Sequence, residues 1–268
     1  MKIDMHIHSN ISDGTDSIEK ILDKAKEKGL EGIALTNHDT IKGLDEAVEI
    51  GNEKGIKVIK GVEISAYDFR GKKKVHILGY NFNEGKNIER LCKNIRKDRN
   101  ENSLWQLENL EKLGYKIDKE NILRKCEKSN VLYKQHIVEE LIDKGYTDRI
   151  YGELYRKLFK NGGKLDRDIK YISALEAVEA IKKDGGIAIL AHPGELDSYR
   201  IIGKLVSGGL DGIEFNHPSH SCWDKERISV FARQYDLILT GGSDYHGFYG
   251  ESELGSELCP NNYLEVFI

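Results

Sequence analysis

The chain alternates short apolar runs with amphipathic segments from its first residues. "KIDMHIH" reads as a buried strand. "DSIEKILDKAKEKG" follows, with Ile18, Ile21, Leu22 and Ala25 on one helical face and a stop at Gly29. "LEGIALTNHDT" is a second strand running out into polar residues, and "IKGLDEAVEIGNEKG" a second helix closed by Gly55. "IKVIKGVEIS" and "KKKVHILGY" are two further strands joined by a turn through "DFRGK". Strand–helix–strand alternation of this spacing predicts a parallel α/β sheet or barrel.

After Tyr80 the rhythm changes. Residues 85–163 carry a helical pattern, with Ile88, Leu91 and Ile95 on one face and Leu104, Leu107, Leu110 and Leu113 on another. Further helices are predicted over 119–128, 134–144 and 149–160. A stretch of this length is too long for a loop and reads as a helical insertion. The alternation then resumes. Helices in "ISALEAVEAIKKDGG", "LDSYRIIGKLVSGG" and "CWDKERISVFARQYD" separate the strands "IAILAHPG", "LDGIEFNHP" and "LILTGGSDYHG". The expected organisation is one α/β barrel domain from 1–84 and 164–268, with 85–163 as a helical cap over the barrel mouth.

Composition narrows the picture. With 268 residues, 39% of them hydrophobic, the chain can bury a large core, and its 32% of charged residues without low-complexity tracts argue against disorder. No apolar run approaches the roughly 18 residues of a membrane helix. No basic-then-apolar signal segment opens the chain, so a cytoplasmic location is expected. Cys92, Cys126, Cys222 and Cys259 lie far apart and read as reduced thiols. The net charge of −4 is uneven: residues 86–168 hold 20 Lys/Arg against 15 Asp/Glu, and the remainder 21 against 30. The basic stretch is either a solvated helix surface or a surface for a polyanionic ligand.

The histidines carry the chemistry. His6 and His8 end the first strand, His38 the second, and Glu63 the third; His76 sits in the fourth. His192 ends a later strand, and Asp244 and His246 the last. In parallel α/β folds the site forms at the carboxyl ends of the strands. Residues i and i+2 of a strand share a face, so His6 and His8 form one pair, and Asp244 and His246 another. Several ionisable groups converging on one core are costly unless a compensating charge joins them. Imidazoles and carboxylates without thiolates suit Zn²⁺, Mn²⁺ or Fe²⁺.

"DMHIHSNISDG", "LTNHDT", "KGVEIS" with "KVHILGY", "LAHPG" and "GGSDYHG" together resemble the successive motifs of the PHP (polymerase and histidinol phosphatase) superfamily. That resemblance implies a distorted (β/α)7 TIM-like barrel with three divalent metal ions at its mouth. By motif, His6, His8, Glu63 and Asp244 would hold one ion. Glu63 would bridge to a second, held also by His76 and His192, and Asp13, His38 and His246 would hold a third. Asn37 stands where many members have Asp, a change expected to tune rather than abolish the centre. The branch most resembled consists of small phosphoesterases acting on nucleotides. Lys134 and His136, in "KQHIVEELIDKGY", and His220, in "NHPSHS", match positions that contact substrate phosphate or donate a proton there; His217 is a less typical neighbour.

The resemblance implies hydrolysis of phosphate monoesters by metal-bound hydroxide, with His220 or His136 protonating the leaving oxygen. A nucleoside 3′,5′-bisphosphate or the 5′ end of a short RNA is the expected substrate. Two alternatives stay open: a histidinol-phosphate phosphatase, and a non-catalytic metal-bearing regulatory module. No membrane and no obligate protein partner is expected.

Overall fold

The computed structural model describes all 268 residues. The chain begins β1 (Ile3–Ile7), α1 (Ile18–Glu27), β2 (Gly32–Leu35), α2 (Leu44–Lys54), β3 (Lys57–Asp68), β4 (Lys73–Tyr80). Four helices follow: α3 (Lys86–Lys112), α4 (Lys119–Lys125), α5 (Lys134–Asp143) and α6 (Glu153–Phe159). The chain ends with β5 (Ile172–Ser173), α7 (Ala174–Lys183), β6 (Ile187–Leu190), α8 (Pro193–Leu196), α9 (Ile202–Ser207), β7 (Gly212–Asn216), α10 (Cys222–Tyr235) and β8 (Ile238–Gly241).

Local chemistry explains the helix limits. The Ser17 side chain accepts from the Lys20 amide at the start of α1, and Ile18, Ile21, Leu22 and Ala25 are its buried face. Ser173 and Glu176 form a reciprocal capping box on α7. Gly55 ends α2 at φ 73°, the left-handed conformation that favours glycine. α6 begins at Glu153, later than the pattern suggests, because the preceding Gly152 is extended.

The sheet runs β1-β2-β3-β4-β6-β7-β8, with β5 added to β3. It is not uniformly parallel. β4 is antiparallel to both β3 and β6, while the other pairs are parallel. Residues 69–72 are too few for the crossover that a parallel partner needs, so β3 and β4 close as a hairpin. The reversal has a use. It sets His76, near the start of β4, opposite Ser65, near the end of β3. A residue early in an antiparallel strand thus shares the end of the sheet where the parallel strands finish. Beyond β8 the chain meets β1 again: Ile7 and Tyr245 form a parallel bridge, and the His8 amide donates to the Tyr245 carbonyl at 2.8 Å.

Ile3, Met5, Ala34, Ile59, Leu78, Tyr80, Ile189 and Ala191 form a core that Cys259, Leu264 and Phe267 of the C-terminal segment complete. Tyr80 donates from its hydroxyl to the Met5 carbonyl at 2.6 Å, which satisfies its polar tip there.

The chain forms two compact units, one of residues 1–93 and 171–268, the other of residues 94–170. Helix α3 is continuous across the first division. The second unit buries Leu107, Leu110, Ile122, Ile137, Leu141 and Phe159, whereas Leu104 is 37% exposed despite its place in the apolar pattern. No helix is long and apolar enough to cross a membrane.

Candidate metal centre

The strand ends are shaped to aim polar side chains at one another. β1 carries a register irregularity between Asp4 and Ile7, and β7 another between Glu214 and Asn216. Such bulges re-aim side chains where a strand ends. A Cβ on Gly242 would stand 2.3 Å from the His6 amide nitrogen, so only glycine lets the chain after β8 lie this close to β1. His192 and Asp244 have φ of 22° and 50°. Non-glycine residues rarely adopt such angles; strain of this sort gathers at functional sites and costs roughly 1–3 kcal/mol each.

The nine residues singled out in the sequence meet in one cluster. His6 Nε2 lies 3.4 Å from Glu63 Oε2 and 3.3 Å from Asp244 Oδ1. His8 Nε2 lies 3.1 and 3.2 Å from the same two oxygens. The other Glu63 oxygen, Oε1, faces His76 Nδ1 at 2.8 Å and His192 Nε2 at 2.9 Å. Asp13 Oδ1 is 3.5 Å from both His8 Nδ1 and His246 Nε2, and Asp13 Oδ2 is 3.9 Å from His38 Nε2. The two oxygens of one carboxylate therefore face two different sets of imidazoles.

These atoms suit a metal better than they suit each other. His6 Nε2, His8 Nε2 and Asp244 Oδ1 are buried and make no hydrogen bond. Orphaned buried polar groups are costly. The four contacts among them and Glu63 Oε2 span 3.1 to 3.4 Å. A tetrahedral ion with ligand bonds of about 2.0–2.2 Å separates its ligands by about 3.3–3.6 Å. The donor set, nitrogen and carboxylate oxygen without sulfur, is that of a divalent ion.

Electrostatics agree. Burial is the largest influence on Glu63, Asp13 and Asp244, and it acts to raise their pKa. The surrounding histidines nevertheless hold all three well below the usual carboxylate range, His38 acting most strongly on Glu63 and Asp13 and His6 on Asp244. Burial acts to lower His38, His6, His192 and His246 alike, and it brings His38 to about 4. At the other three the neighbouring carboxylates outweigh it, raising His6 well above its ordinary value, His192 to about 9 and His246 to about 10, so those imidazoles hold protons that a bound cation would displace.

Further residues complete the arrangement. Glu214, in β7, is 1% exposed. One of its oxygens is 2.9 Å from His6 Nδ1 and the other accepts from the His192 amide at 2.8 Å. It thereby fixes the His6 ring with Nε2 turned to the cluster, as carboxylates behind metal-ligating histidines do. The only signal for it in the sequence is an acid within the apolar run "GIEF". Asp4 accepts from the amides of His6, Ser243 and Gly255 and from the Ser243 hydroxyl, tying β1 to the chain after β8. Asn37 Oδ1 accepts from the Ser9 amide and the Ser9 and Ser12 hydroxyls, a structural place that holds the loop after β1.

The residues expected to contact substrate are distributed differently. His220 donates from Nδ1 to the Phe215 carbonyl (2.9 Å) and accepts at Nε2 from the Gly194 amide (3.2 Å). His217, three residues earlier, approaches the cluster instead, with Nε2 3.5 Å from Asp244 Oδ2. Lys134 and His136 lie in the second unit, on the first turn of α5. His136 is buried, and its Nδ1 accepts from the Tyr133 amide at 3.2 Å.

Comparison with known proteins points the same way. The PHP domain profile matches residues 4–190. The chain is 48% identical over 248 residues, covering 92% of it and 95% of the relative, to a phosphoribosyl 1,2-cyclic phosphate 1,2-diphosphodiesterase of Eggerthella lenta. It is 30% identical over 250 residues, 91% of the chain and 87% of the relative, to a 3′,5′-nucleoside bisphosphate phosphatase of Chromobacterium violaceum. A crystal structure from Bifidobacterium adolescentis, assigned as a metal-dependent phosphoesterase, superposes with a TM-score of 0.92 at 28% identity, covering 99% of this chain and 94% of that one.

Proposed function

The chain belongs to the PHP domain family, and on that premise we propose that it hydrolyses a phosphate ester on a ribose carrying two phosphate groups, with three divalent ions at the centre. It is a metal-dependent phosphoesterase, a hydrolase of phosphoric ester bonds. The observation that carries the reading is Glu63, whose two oxygens face separate sets of histidines, the arrangement of a carboxylate shared between ions.

His6, His8, Glu63 and Asp244 would hold one ion; Glu63, His76 and His192 a second; Asp13, His38 and His246 a third. Bound divalent ions supply Lewis acidity and a water of lowered pKa. Glu214 keeps His6 oriented, and Asp4 keeps β1 against the chain that bears Asp244. The bridge from Ile7 to Tyr245 supports reading the sheet as the family's distorted (β/α)7 barrel.

The substrate follows from what the two relatives have in common. A phosphoribosyl 1,2-cyclic phosphate and a nucleoside 3′,5′-bisphosphate are both riboses bearing phosphate at two positions. The cyclic diester is the first reading, because that relative is 48% identical over 92% of the chain. The bisphosphate is the second, favoured by the relative at 30%. Phosphate release should be measured on the purified, manganese-loaded protein with both compounds, a 5′-phosphorylated short RNA and histidinol phosphate. The highest kcat/KM is expected on the cyclic diester. Preference for histidinol phosphate would overturn the ribose reading, and no hydrolysis of any ester would overturn the enzymatic one.

A further inference from the structure

The turn after β7 holds two histidines three residues apart, and the structure gives them opposite jobs. His220 has both ring nitrogens engaged inside the protein, Nδ1 donating to Phe215 and Nε2 accepting from Gly194. It is a clamp between the end of β7 and the segment that follows His192. A Cβ on Gly194 would lie 2.7 Å from His220 Cδ2, so the clamp is closely packed.

His217 is held from one side only. Its Nδ1 accepts from the Ser219 amide at 3.2 Å and lies 2.7 Å from the Ser219 hydroxyl. An amide can only donate, so Nδ1 is the unprotonated nitrogen and the ring hydrogen sits on Nε2. The residue is 3% exposed, and Nε2 makes no hydrogen bond. It faces Asp244 Oδ2 at 3.5 Å, at the outer limit of hydrogen-bonding distance, so the carboxylate is at most a weak acceptor that a closer oxygen would displace. Beside it lies a cavity of about 530 Å³, lined by His217, Asp244, Glu195, Pro218 and Ser219 among others. Glu251 and Glu253 line it too, so a phosphorylated ligand would enter it only with cations at the cluster to offset these carboxylates.

Two occupants are conceivable for an imidazole nitrogen pointed at this centre. A metal ion needs the lone pair of Nε2, which would move the hydrogen to Nδ1 and set it against the Ser219 amide. An oxygen acceptor needs the hydrogen where the turn already places it. We propose that His217 binds substrate, donating a hydrogen bond from Nε2 to a phosphoryl oxygen of the ester held at the cluster, and that Ser219 sets the tautomer that makes this donation available. His220, the histidine whose motif position suggests that task, supports the turn instead.

The proposal deepens the phosphoesterase reading and rests on it, so its test includes a probe that needs no turnover. Inorganic phosphate binding to the manganese-loaded protein is measured by calorimetry, together with bound manganese, thermal midpoint and the kinetics of whichever ester is hydrolysed. His217→Ala should keep its manganese while losing roughly 10-fold or more in phosphate affinity and in kcat/KM, as loss of a hydrogen bond to a charged group does. His217→Gln, which retains an N–H donor, should recover part of both. Loss of manganese in His217→Ala, with the thermal midpoint of the metal-free protein unchanged, would make His217 a ligand and overturn the proposal. Unchanged phosphate affinity in both variants would overturn it as well. Should His217→Ala unfold, His217→Gln decides: phosphate affinity equal to that of an imidazole-free pocket, as in His217→Leu, sinks the donor role. If no ester is hydrolysed at all, the phosphoesterase reading fails while the phosphate measurement still reads the His217 contact.

Discussion

Both units of this protein bury polar side chains, and they do so in opposite ways. In residues 94–170, Glu140 is 0% exposed, yet it accepts from the Asp118 amide at 2.9 Å and the Asn121 amide side chain at 2.7 Å. Gln106 donates to the Leu165 carbonyl and Asn102 to the Arg167 carbonyl, while the oxygen of each amide is buried without a partner. Those groups stitch helices and loops together. At the strand ends of the other unit, His6, His8 and Asp244 turn buried atoms toward one another without bonding. Donors and acceptors that close on backbone report a fold. Lone pairs that converge on each other suit a cation. Burial alone does not separate the two; the direction of the buried atoms does.

The sharpest attack on this contrast is at Glu63. Glu63→Gln keeps the size of the side chain but removes the charge shared by both sets of histidines. Phosphate release should fall by at least ~1000-fold with loss of bound metal, since on the proposed assignment the removed charge is shared between ions. Metal analysis and phosphate-release assays check it. Full metal content with full activity would mean that the cluster is not the centre.

One step outward, Glu214→Gln should weaken metal binding by about 10–100-fold, the usual cost of removing the carboxylate behind a ligating histidine. Competition with a chelating dye reads this directly. In the helical unit, Glu140→Ala should do the reverse. It leaves the Asp118 amide and the Asn121 side chain without their acceptor, at about 1–3 kcal/mol for a buried group. A lowered urea midpoint with unchanged metal affinity is the expected result. Metal loss there would erase the distinction between the two regions.

Much of the centre is legible in the sequence because strands impose short, rigid spacings. His6 with His8 and Asp244 with His246 fall two apart at strand ends, where side-chain direction follows from backbone geometry. Glu214 is hidden because its partner, His6 Nδ1, lies 208 residues away and only the folded sheet brings them together. The direction of β4 is legible only through the short turn at 69–72, which forbids a crossover. His217 and His220 look alike in "NHPSHS"; which of them faces the cluster depends on hydrogen bonds to Ser219, Phe215 and Gly194 that no periodicity encodes. In the helical unit the apolar stripes of α3 predict a helix but not its neighbours, and Leu104 meets the pattern while facing solvent.

The finest test concerns a polar group that touches the centre's scaffold yet is closed like those of the helical unit. Asp16 is 3% exposed and accepts from Lys20 and Lys24 and from the hydroxyl of Tyr245, the residue between Asp244 and His246. Burial is the largest influence on its carboxyl and acts to raise the pKa, but the bonds from Lys20, Lys24 and Tyr245 together lower it below 3.8. A carboxyl depressed by folding binds fewer protons in the native state, so its stabilisation is complete above 3.8 and is lost as pH falls through the depressed value. Because both lysines are partly exposed, Asp16→Asn should cost only about 1 kcal/mol at pH 7. The gap in urea midpoint between variant and parent should hold from pH 7 to pH 5 and narrow below pH 4. Metal affinity should stay within about 3-fold, because the cluster's own ligands and Glu214 are untouched; a loss as large as that of Glu214→Gln would place Asp16 among the groups that orient Asp244 and His246.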